Sequence, residues 1–204
     1  ETEVLRQKIA LDTPYQDFSF ETTSRPLVLE ADPESDLFRI LTLEELPSTV
    51  NSIRGSNKLL MLQGKQYAPD TTAIKTLLGA LRKTDLPTRS INEISQEDLA
   101  NHDLLIFGLP DLLRPTQLLS ATAGQFKLAG QRVNPGDHST FIVEPNPLNA
   151  DRKAAWFVSQ NHQATVVARK IPHYGKYSYL LFDGVENRLK GIRIPEESLL
   201  RVEF

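Results

Sequence analysis

Two runs of consecutive apolar residues, separated by an amphipathic helix pattern, constrain the fold of this chain most strongly. Residues 59–62 and 104–107 are apolar at successive positions, which is typical of strands that are covered on both faces. Between them, residues 72–83 carry leucine and isoleucine at the spacing of one helix face. Strands that alternate with helices predict an open, largely parallel sheet. We therefore expect an α/β fold, a three-layer and mostly parallel sheet flanked by helices.

The same reasoning assigns the other elements of this domain. Further strands are predicted over residues 88–91, 140–143, 154–158 and 178–182, further helices over 43–53, 95–100, 115–121 and 161–171, and a hairpin over 126–133. Residues 144–153 are barely long enough for a parallel crossover, so this step is either antiparallel or a tight irregular crossover. The expected core residues are Leu60, Leu62, Leu77, Leu81, Leu105, Phe107, Ile142, Phe157, Val167 and Leu181.

The N-terminal part has a different character. Short apolar segments within residues 4–11, 18–20 and 27–29 are separated by proline-containing turns and predict half-buried antiparallel strands. Three short strands form a poor independent core, so they are interpreted as the end of a β-sandwich. The predicted domains are residues 1–54, a β appendage with a helical connector, and residues 55–204, the α/β domain. The absence of an initiator methionine leads us to expect a piece of a longer protein.

Composition excludes several classes of function. The net charge is −3, whereas nucleic-acid binders usually carry a basic patch, so we expect no nucleic-acid partner. The chain has no cysteine, which excludes disulfides, a thiol nucleophile and thiolate metal sites. The sequence also lacks an apolar run of the length that a membrane span needs.

No established catalytic motif is present. The sequence lacks HExxH, GxSxG, GxGxxG and the phosphate-binding GxxxxGK[ST] pattern. A zinc site assembled across loops, for example from His138 and Glu144, and a serine triad assembled from distant residues stay open, because geometry defines such sites. We predict no catalytic residue, no metal ligand and no cofactor for this chain, and therefore no enzyme activity of its own.

Weak candidates for ligand binding come from the rule that open α/β sheets bind ligands beyond the carboxyl ends of their strands. Four candidates lie in the loops that follow predicted strands, namely Lys65, Asp111, Asn146 and His162. Two more, His173 and Lys176, lie in the segment after the last long helix.

Residues 173–179 form the most distinctive segment of the chain, and a structural role is favoured for them. Gly175 is expected in a turn conformation that other residues resist. Tyr177, Tyr179 and Leu181 are expected to share one face, while Lys176 points to solvent or pairs with a carboxylate. The alternative is an anionic ligand held by Lys176 and the tyrosines.

Several short motifs resemble one family. Residues 9–11, 17–21 and 26–33 resemble the last strands of the sandwich domain in gluzincin zinc aminopeptidases. Residues 36–51 are similar to the segment after that domain in some exported bacterial members. The segment 173–180, His-Tyr-Gly-Lys-Tyr-Ser-Tyr-Leu, is similar to the end of their C-terminal α/β extension.

The resemblance implies a non-catalytic accessory or interaction domain from the C-terminal part of such a protein. The zinc motif HExxH and the substrate-anchoring GxMEN motif are absent from this chain, so zinc would belong only to a separate catalytic domain. The implied partners are other domains of the same parent chain, and the implied location is exported or periplasmic. The alternative from the residues alone is a small-molecule-binding or hydrolytic α/β domain that uses the loops at the strand ends.

Overall fold

The structure is a computed structural model, and it describes residues 4–33, 45–86, 88–90, 93–122, 125–195 and 200–204. The chain divides into two compact units. The smaller unit comprises residues 1–38 together with 199–204, and the larger unit comprises residues 39–198.

The described residues form twelve strands and four α-helices. The strands are β1 (Val28–Glu30), β2 (Leu59–Gln63), β3 (Thr88–Ser90), β4 (Asp103–Phe107), β5 (Leu118–Thr122), β6 (Gln125–Leu128), β7 (Gln131–Val133), β8 (His138–Asn146), β9 (Asn149–Ser159), β10 (Tyr179–Asp183), β11 (Glu186–Gly191) and β12 (Arg201–Glu203). The helices are α1 (Val50–Gly55), α2 (Thr71–Leu81), α3 (Gln96–Asn101) and α4 (Ala164–Lys170), and α4 continues into a 3₁₀ helix, Ile171–Tyr174.

The larger unit is built on a mixed seven-stranded sheet with the order β11-β10-β8-β9-β4-β2-β3. The four strands β3, β2, β4 and β9 run parallel to one another, as the sequence predicts. The pairs β9–β8, β8–β10 and β10–β11 are antiparallel. For residues 144–153 the sequence left open an antiparallel connection or a tight irregular crossover. They form a β-hairpin between β8 and β9, so the antiparallel alternative is correct. The α/β class is confirmed, with a sheet that is mixed.

The two faces of this sheet are covered differently. Helices α1, α2 and α4 cover one face, where they bury residues such as Met61, Leu105 and Phe157. The other face buries Ile106 and Trp156 beneath α3 and a small antiparallel sheet, β5-β6-β7. Helices were predicted as the flanking elements, whereas most of this second face is covered by strands. The predicted core residues are buried, except that Leu60 is half-buried.

Helix boundaries agree with the sequence where a capping side chain marks them. Asp70 precedes α2 and its carboxylate accepts a hydrogen bond from the backbone N–H of Ala73, at 2.8 Å. The hydroxyl of Ser95 likewise accepts from the N–H of Asp98, at 3.0 Å. Both contacts satisfy N–H groups that a helix leaves unpaired in its first turn.

The predicted helix over residues 115–121 is wrong. The carboxylate of Glu144 accepts the backbone N–H groups of Thr116 and Gln117, each at 2.8 Å, and strand β5 follows, pairing with β6. This tertiary contact outweighs the local helix pattern. The hairpin predicted next is confirmed as β6–β7, and its turn residues Ala129 and Gly130 have φ of 45° and 80°, as a two-residue hairpin turn requires.

Two other helix predictions differ at their ends. Residues 43 and 44 of the predicted helix 43–53 lie outside the described residues, and α1 begins only at Val50, where Thr49 N–H donates to Ser52 Oγ at 3.1 Å. Helix α4 is shorter than predicted at its start, and Pro172 lies in the first turn of the 3₁₀ helix that extends it.

The smaller unit contains fewer strands than predicted. Within residues 4–33 the one strand is β1, and residues 4–27 form no strand. Strand β1 pairs antiparallel with β12, with Val28 opposite Glu203 and Leu29 opposite Val202. The three-strand prediction for residues 4–30 is therefore wrong for its first two strands, and the partner of the third was not predicted.

Candidate functional site

The carboxyl ends of the parallel strands, where a ligand crevice is expected, are crossed by the loop that follows β2. Leu109 N–H donates to the carbonyl of Gln66 at 2.7 Å, beyond the end of β4. Ser159 N–H, at the end of β9, donates to the carbonyl of Tyr67 at 3.0 Å. The loop is thus bonded in turn to the ends of two neighbouring strands, over the position that a ligand would occupy in this architecture.

Two glycines allow this close packing of backbone on backbone. Gly108 has φ of +84°, and a Cβ there would lie 2.8 Å from the nitrogen of Ala68. A Cβ on Gly64 would lie 2.9 Å from the nitrogen of Pro110. Contacts this short do not occur between real Cβ atoms and backbone, so only glycine fits at either position. We call the edge of the sheet at the carboxyl ends of the parallel strands the crest. At this point the crest is filled by the protein's own loops.

Three of the candidate ligand residues lie near this crest, and all three are exposed. They are Lys65, Asp111 and His162. Asp111 forms an exposed ion pair with Arg114 at 3.5 Å. Within the described part of the chain, no hydrogen bond or ion pair joins the three candidates to one another.

Asn146 lies at the opposite edge of the sheet from the crest, where the parallel strands begin. Because β8 runs antiparallel to β9, the carboxyl end of β8 meets the amino ends of the parallel strands. The buried side-chain amide of Asn146 donates to the carbonyls of Leu99 at 2.7 Å and His102 at 3.1 Å. These carbonyls close the end of α3, so Asn146 acts as a structural cap. The expectation that it joins the crest residues is wrong.

His173 and Lys176 also lie at this opposite edge, in the connection from α4 to the start of β10, and both side chains are exposed. The six candidates are thus divided between two edges of the sheet, three at each. The loop-assembled zinc site from His138 and Glu144 is not formed either. These residues lie six positions apart along β8, about 20 Å at the usual rise per residue, and Glu144 is bonded to Thr116.

The segment 173–179 contacts the start of α1. The carbonyl of Gly175 accepts the N–H of Asn51 at 2.9 Å, and the carbonyl of Tyr177 accepts the N–H of Val50 at 3.0 Å. These bonds satisfy two N–H groups that the helix itself cannot pair. Gly175 has φ of −48°, an ordinary helical value, so the predicted turn conformation is wrong. A Cβ at this position would meet the side-chain amide of Asn51, which would have to move to make room.

The tyrosines of this segment lie on different faces of the sheet. Tyr177 packs against the core beneath α1, α2 and α4, whereas Tyr179 and Leu181 pack on the other core. The shared face was predicted from the alternation of side chains along a strand. Tyr177 precedes β10, so this alternation does not apply to it. The ring of Tyr179 lies across Gly191, its neighbour on β11. Lys176 is exposed, as predicted, with its ammonium group 5.5 Å from the centre of the Tyr177 ring.

The smaller unit presents an apolar surface that we call the ribbon, defined as β1, β12 and the flanking residues Leu27 and Phe204. Val28 and Leu29 are successive on one strand, so they point to opposite faces, and they are 43% and 49% exposed. Val202 on the partner strand is 49% exposed, and Phe204, directly after that strand, is 56% exposed. All six residues of the two strands are exposed, so the ribbon has apolar residues on both faces and no core of its own.

The residues before the ribbon share this character. Large apolar side chains among residues 4–20 are exposed at Val4, Leu5, Ile9, Leu11, Tyr15, Phe18 and Phe20. Scattered exposed apolar residues are normal, whereas a concentration of them is typical of surfaces that bind another protein, a membrane or a ligand. The strand signal at residues 27–29 indicated part of this surface. Nothing in the sequence indicated β12, whose three residues lie far from β1 along the chain.

Other kinds of site have no support among the residues that the structure covers. Across the described ranges, no group of three or more histidine, aspartate or glutamate side chains is placed to hold a metal ion. Among the described helices, none combines the length and apolar composition that crossing a membrane requires.

Comparison with protein-family models and with curated proteins gives no match to this chain.

Proposed function

We propose that this chain is a non-catalytic accessory or interaction domain from the C-terminal part of an aminopeptidase-like protein, and that the ribbon is its docking surface. The observation that carries this proposal is the exposure of apolar residues on both faces of β1 and β12. An isolated two-stranded ribbon is marginally stable in water. Packing against a second sheet would bury Leu29, Val202 and Phe204, which share one face of the ribbon, and complete a β-sandwich.

The partner that fits this surface is a β-sheet domain with an exposed apolar face, supplied by the same parent chain. Apolar side chains on the ribbon match such a face. The outer edges of β1 and β12, which pair with no other strand of the described residues, can receive further strands by backbone hydrogen bonds. The resemblance of residues 26–33, which contain β1, to the last strand of a sandwich domain favours the same partner. An exported or periplasmic location belongs to this proposal through the resemblance alone.

The alternative, a small-molecule-binding or hydrolytic domain, has less support. It requires polar side chains that converge at the crest. The crest is instead occupied by backbone at Gly64 and Gly108, and the three polar candidates near it are exposed without contacts between them. We therefore favour the accessory role.

A panel of aminoacyl and peptidyl chromogenic substrates, with and without added zinc, tests the absence of catalysis. We expect no turnover above that of buffer. Reproducible turnover that a single substitution of His138, His162 or Asp111 abolishes would contradict the proposal and favour the alternative.

Site-specific photo-cross-linking in the whole gene product tests the docking surface. A photoreactive residue replaces Val202 on the ribbon, and a matched variant carries it at Val166, which is 42% exposed on α4. We expect the Val202 variant to give a cross-link to a β-sheet domain of the same polypeptide and the Val166 variant to give none. Cross-linking of both positions to the same extent, or of neither, would reject the ribbon as the docking surface.

A further inference from the structure

A second surface with binding character lies at the β11 edge of the large sheet, on the side that carries α1, α2 and α4. Two tyrosine rings, Tyr174 and Tyr177, stand there with their centres 6.2 Å apart. Tyr174 also meets the buried ring of Phe182 edge-on at 5.7 Å. Both tyrosines are half-buried against the core, so packing holds the two rings in place.

Two lysines converge on these rings. The ammonium group of Lys190 lies 5.3 Å from the centre of the Tyr177 ring and 5.5 Å from that of Tyr174. The ammonium group of Lys176 lies 5.5 Å from the Tyr177 ring centre. These distances fit cation–π contacts, and they bring two positive charges to one tyrosine. Neither lysine forms an ion pair with a carboxylate of the described residues.

The neighbouring charges do not neutralise this pair. Arg188, two residues before Lys190 on the same strand, is already paired with Asp183 at 2.9 Å. Glu186 lies at the far end of β11, four residues from Lys190. Among the residues that the structure describes, no carboxylate is therefore paired with the lysine at this end of the strand.

The edge of the sheet is open beside these lysines. Strand β11 is the last strand in the sheet order, and it pairs with β10 on one side. Its other side has no strand partner among the residues that the structure covers. Exposed backbone N–H and C=O groups of such an edge can pair with an added strand. In that arrangement the residue opposite Lys190 would place its side chain on the same face as the two lysines.

We propose that β11 binds an acidic, extended peptide segment by strand addition, and that Lys176 and Lys190 hold a carboxylate of that segment beside the rings of Tyr174 and Tyr177. Backbone hydrogen bonds would supply the binding to β11, and the lysines would select acidic over basic sequences. This surface lies within the larger unit and does not depend on the ribbon, so either proposal can fail while the other stands.

The test is titration of the ¹⁵N-labelled chain with an eight-residue peptide that alternates glutamate and valine, monitored by NMR. We expect shifts of the β11 amide signals, weaker binding as salt is raised, and no comparable shifts with a lysine–valine peptide. Lys190→Ala and Lys176→Ala should each weaken binding about two- to fivefold, as loss of an exposed ion pair does. The control Lys127→Ala, an exposed lysine on β6, should leave the affinity unchanged.

Three results would overturn this inference. The first is an absence of binding, or shifts confined to residues outside β11. The second is equal binding of the two peptides or of all three lysine variants. The third is sodium acetate or inorganic phosphate reproducing the β11 shifts at the same concentration of anionic groups, because a free anion would then account for the binding. Thermal melts of the variants establish that each remains folded.

Discussion

Replacing Gly108 by alanine tests whether the crest of the sheet is filled, and Gly130 provides a matched control. The two glycines have nearly the same φ, +84° and +80°. A Cβ on Gly108 would meet the backbone of Gln66 and Ala68, whereas a Cβ on Gly130 would have no atom within 4 Å. The two substitutions therefore share the conformational cost and differ in the steric cost.

The expected magnitudes follow from that difference. A left-handed conformation costs an alanine about 1–2 kcal/mol, and this applies to both variants. Forcing a methyl group into packed backbone costs about 1–3 kcal/mol more, and this applies only to Gly108→Ala. We expect Gly108→Ala to lower the free energy of unfolding by about 2 kcal/mol more than Gly130→Ala, which is roughly a 30-fold difference in the folding equilibrium.

Urea denaturation monitored by fluorescence measures both values. Trp156 is the one tryptophan of the chain and is fully buried in the large sheet, so its emission reports unfolding of the larger unit. A shift of the urea midpoint with an unchanged slope identifies a change in stability. Equal losses for the two variants would refute the reasoning, because the loop after β2 would then not be packed on Gly108. An open crest would restore the small-molecule alternative.

Further predictions concern buried polar groups and the segment 173–179, and the same urea assay measures each of them. Thr140→Val should raise the free energy of unfolding by about 1 kcal/mol, because the buried Thr140 hydroxyl has no hydrogen-bond partner among the described residues. Ser139→Ala should lower it, because the Ser139 hydroxyl is hydrogen-bonded to that of Ser159 at 2.8 Å. Glu144→Gln should cost about 2 kcal/mol, since the amide would turn a donor toward N–H groups that now donate to the carboxylate. Tyr179→Ala should cost on the order of 3 kcal/mol and Lys176→Ala less than about 0.5 kcal/mol. A larger loss of stability for Lys176→Ala than for Tyr179→Ala would contradict this prediction and would give Lys176 a structural role.

The parts of the fold that could be predicted from the sequence are those fixed by local pattern. Continuous apolar runs identified β2 and β4, and the helical spacing of apolar residues identified α2. The hairpin β6–β7 followed from its Ala-Gly turn. Each of these signals acts within a few residues, so no knowledge of distant contacts was needed.

The errors arose where distant residues decide the structure. Glu144 binds the backbone at Thr116 and replaces a locally favourable helix start with a strand. The antiparallel direction of β8 sends Asn146 to the opposite edge from Lys65, and residue order alone could not fix that direction. The pairing of β1 with β12 joins residues about 170 positions apart. Candidate sites were therefore harder to predict than elements, because they depend on strand direction and long-range pairing.

Amide hydrogen exchange at β1 and β12, in the chain alone and in the whole gene product, tests most directly whether the ribbon is a docking surface. A two-stranded ribbon without a core should exchange with little protection when the chain is alone. We predict that exchange at Leu29 and Val202 becomes at least about tenfold slower in the whole protein, while β4 is protected equally in both. Equal exchange at the ribbon in the two forms would contradict a docking role.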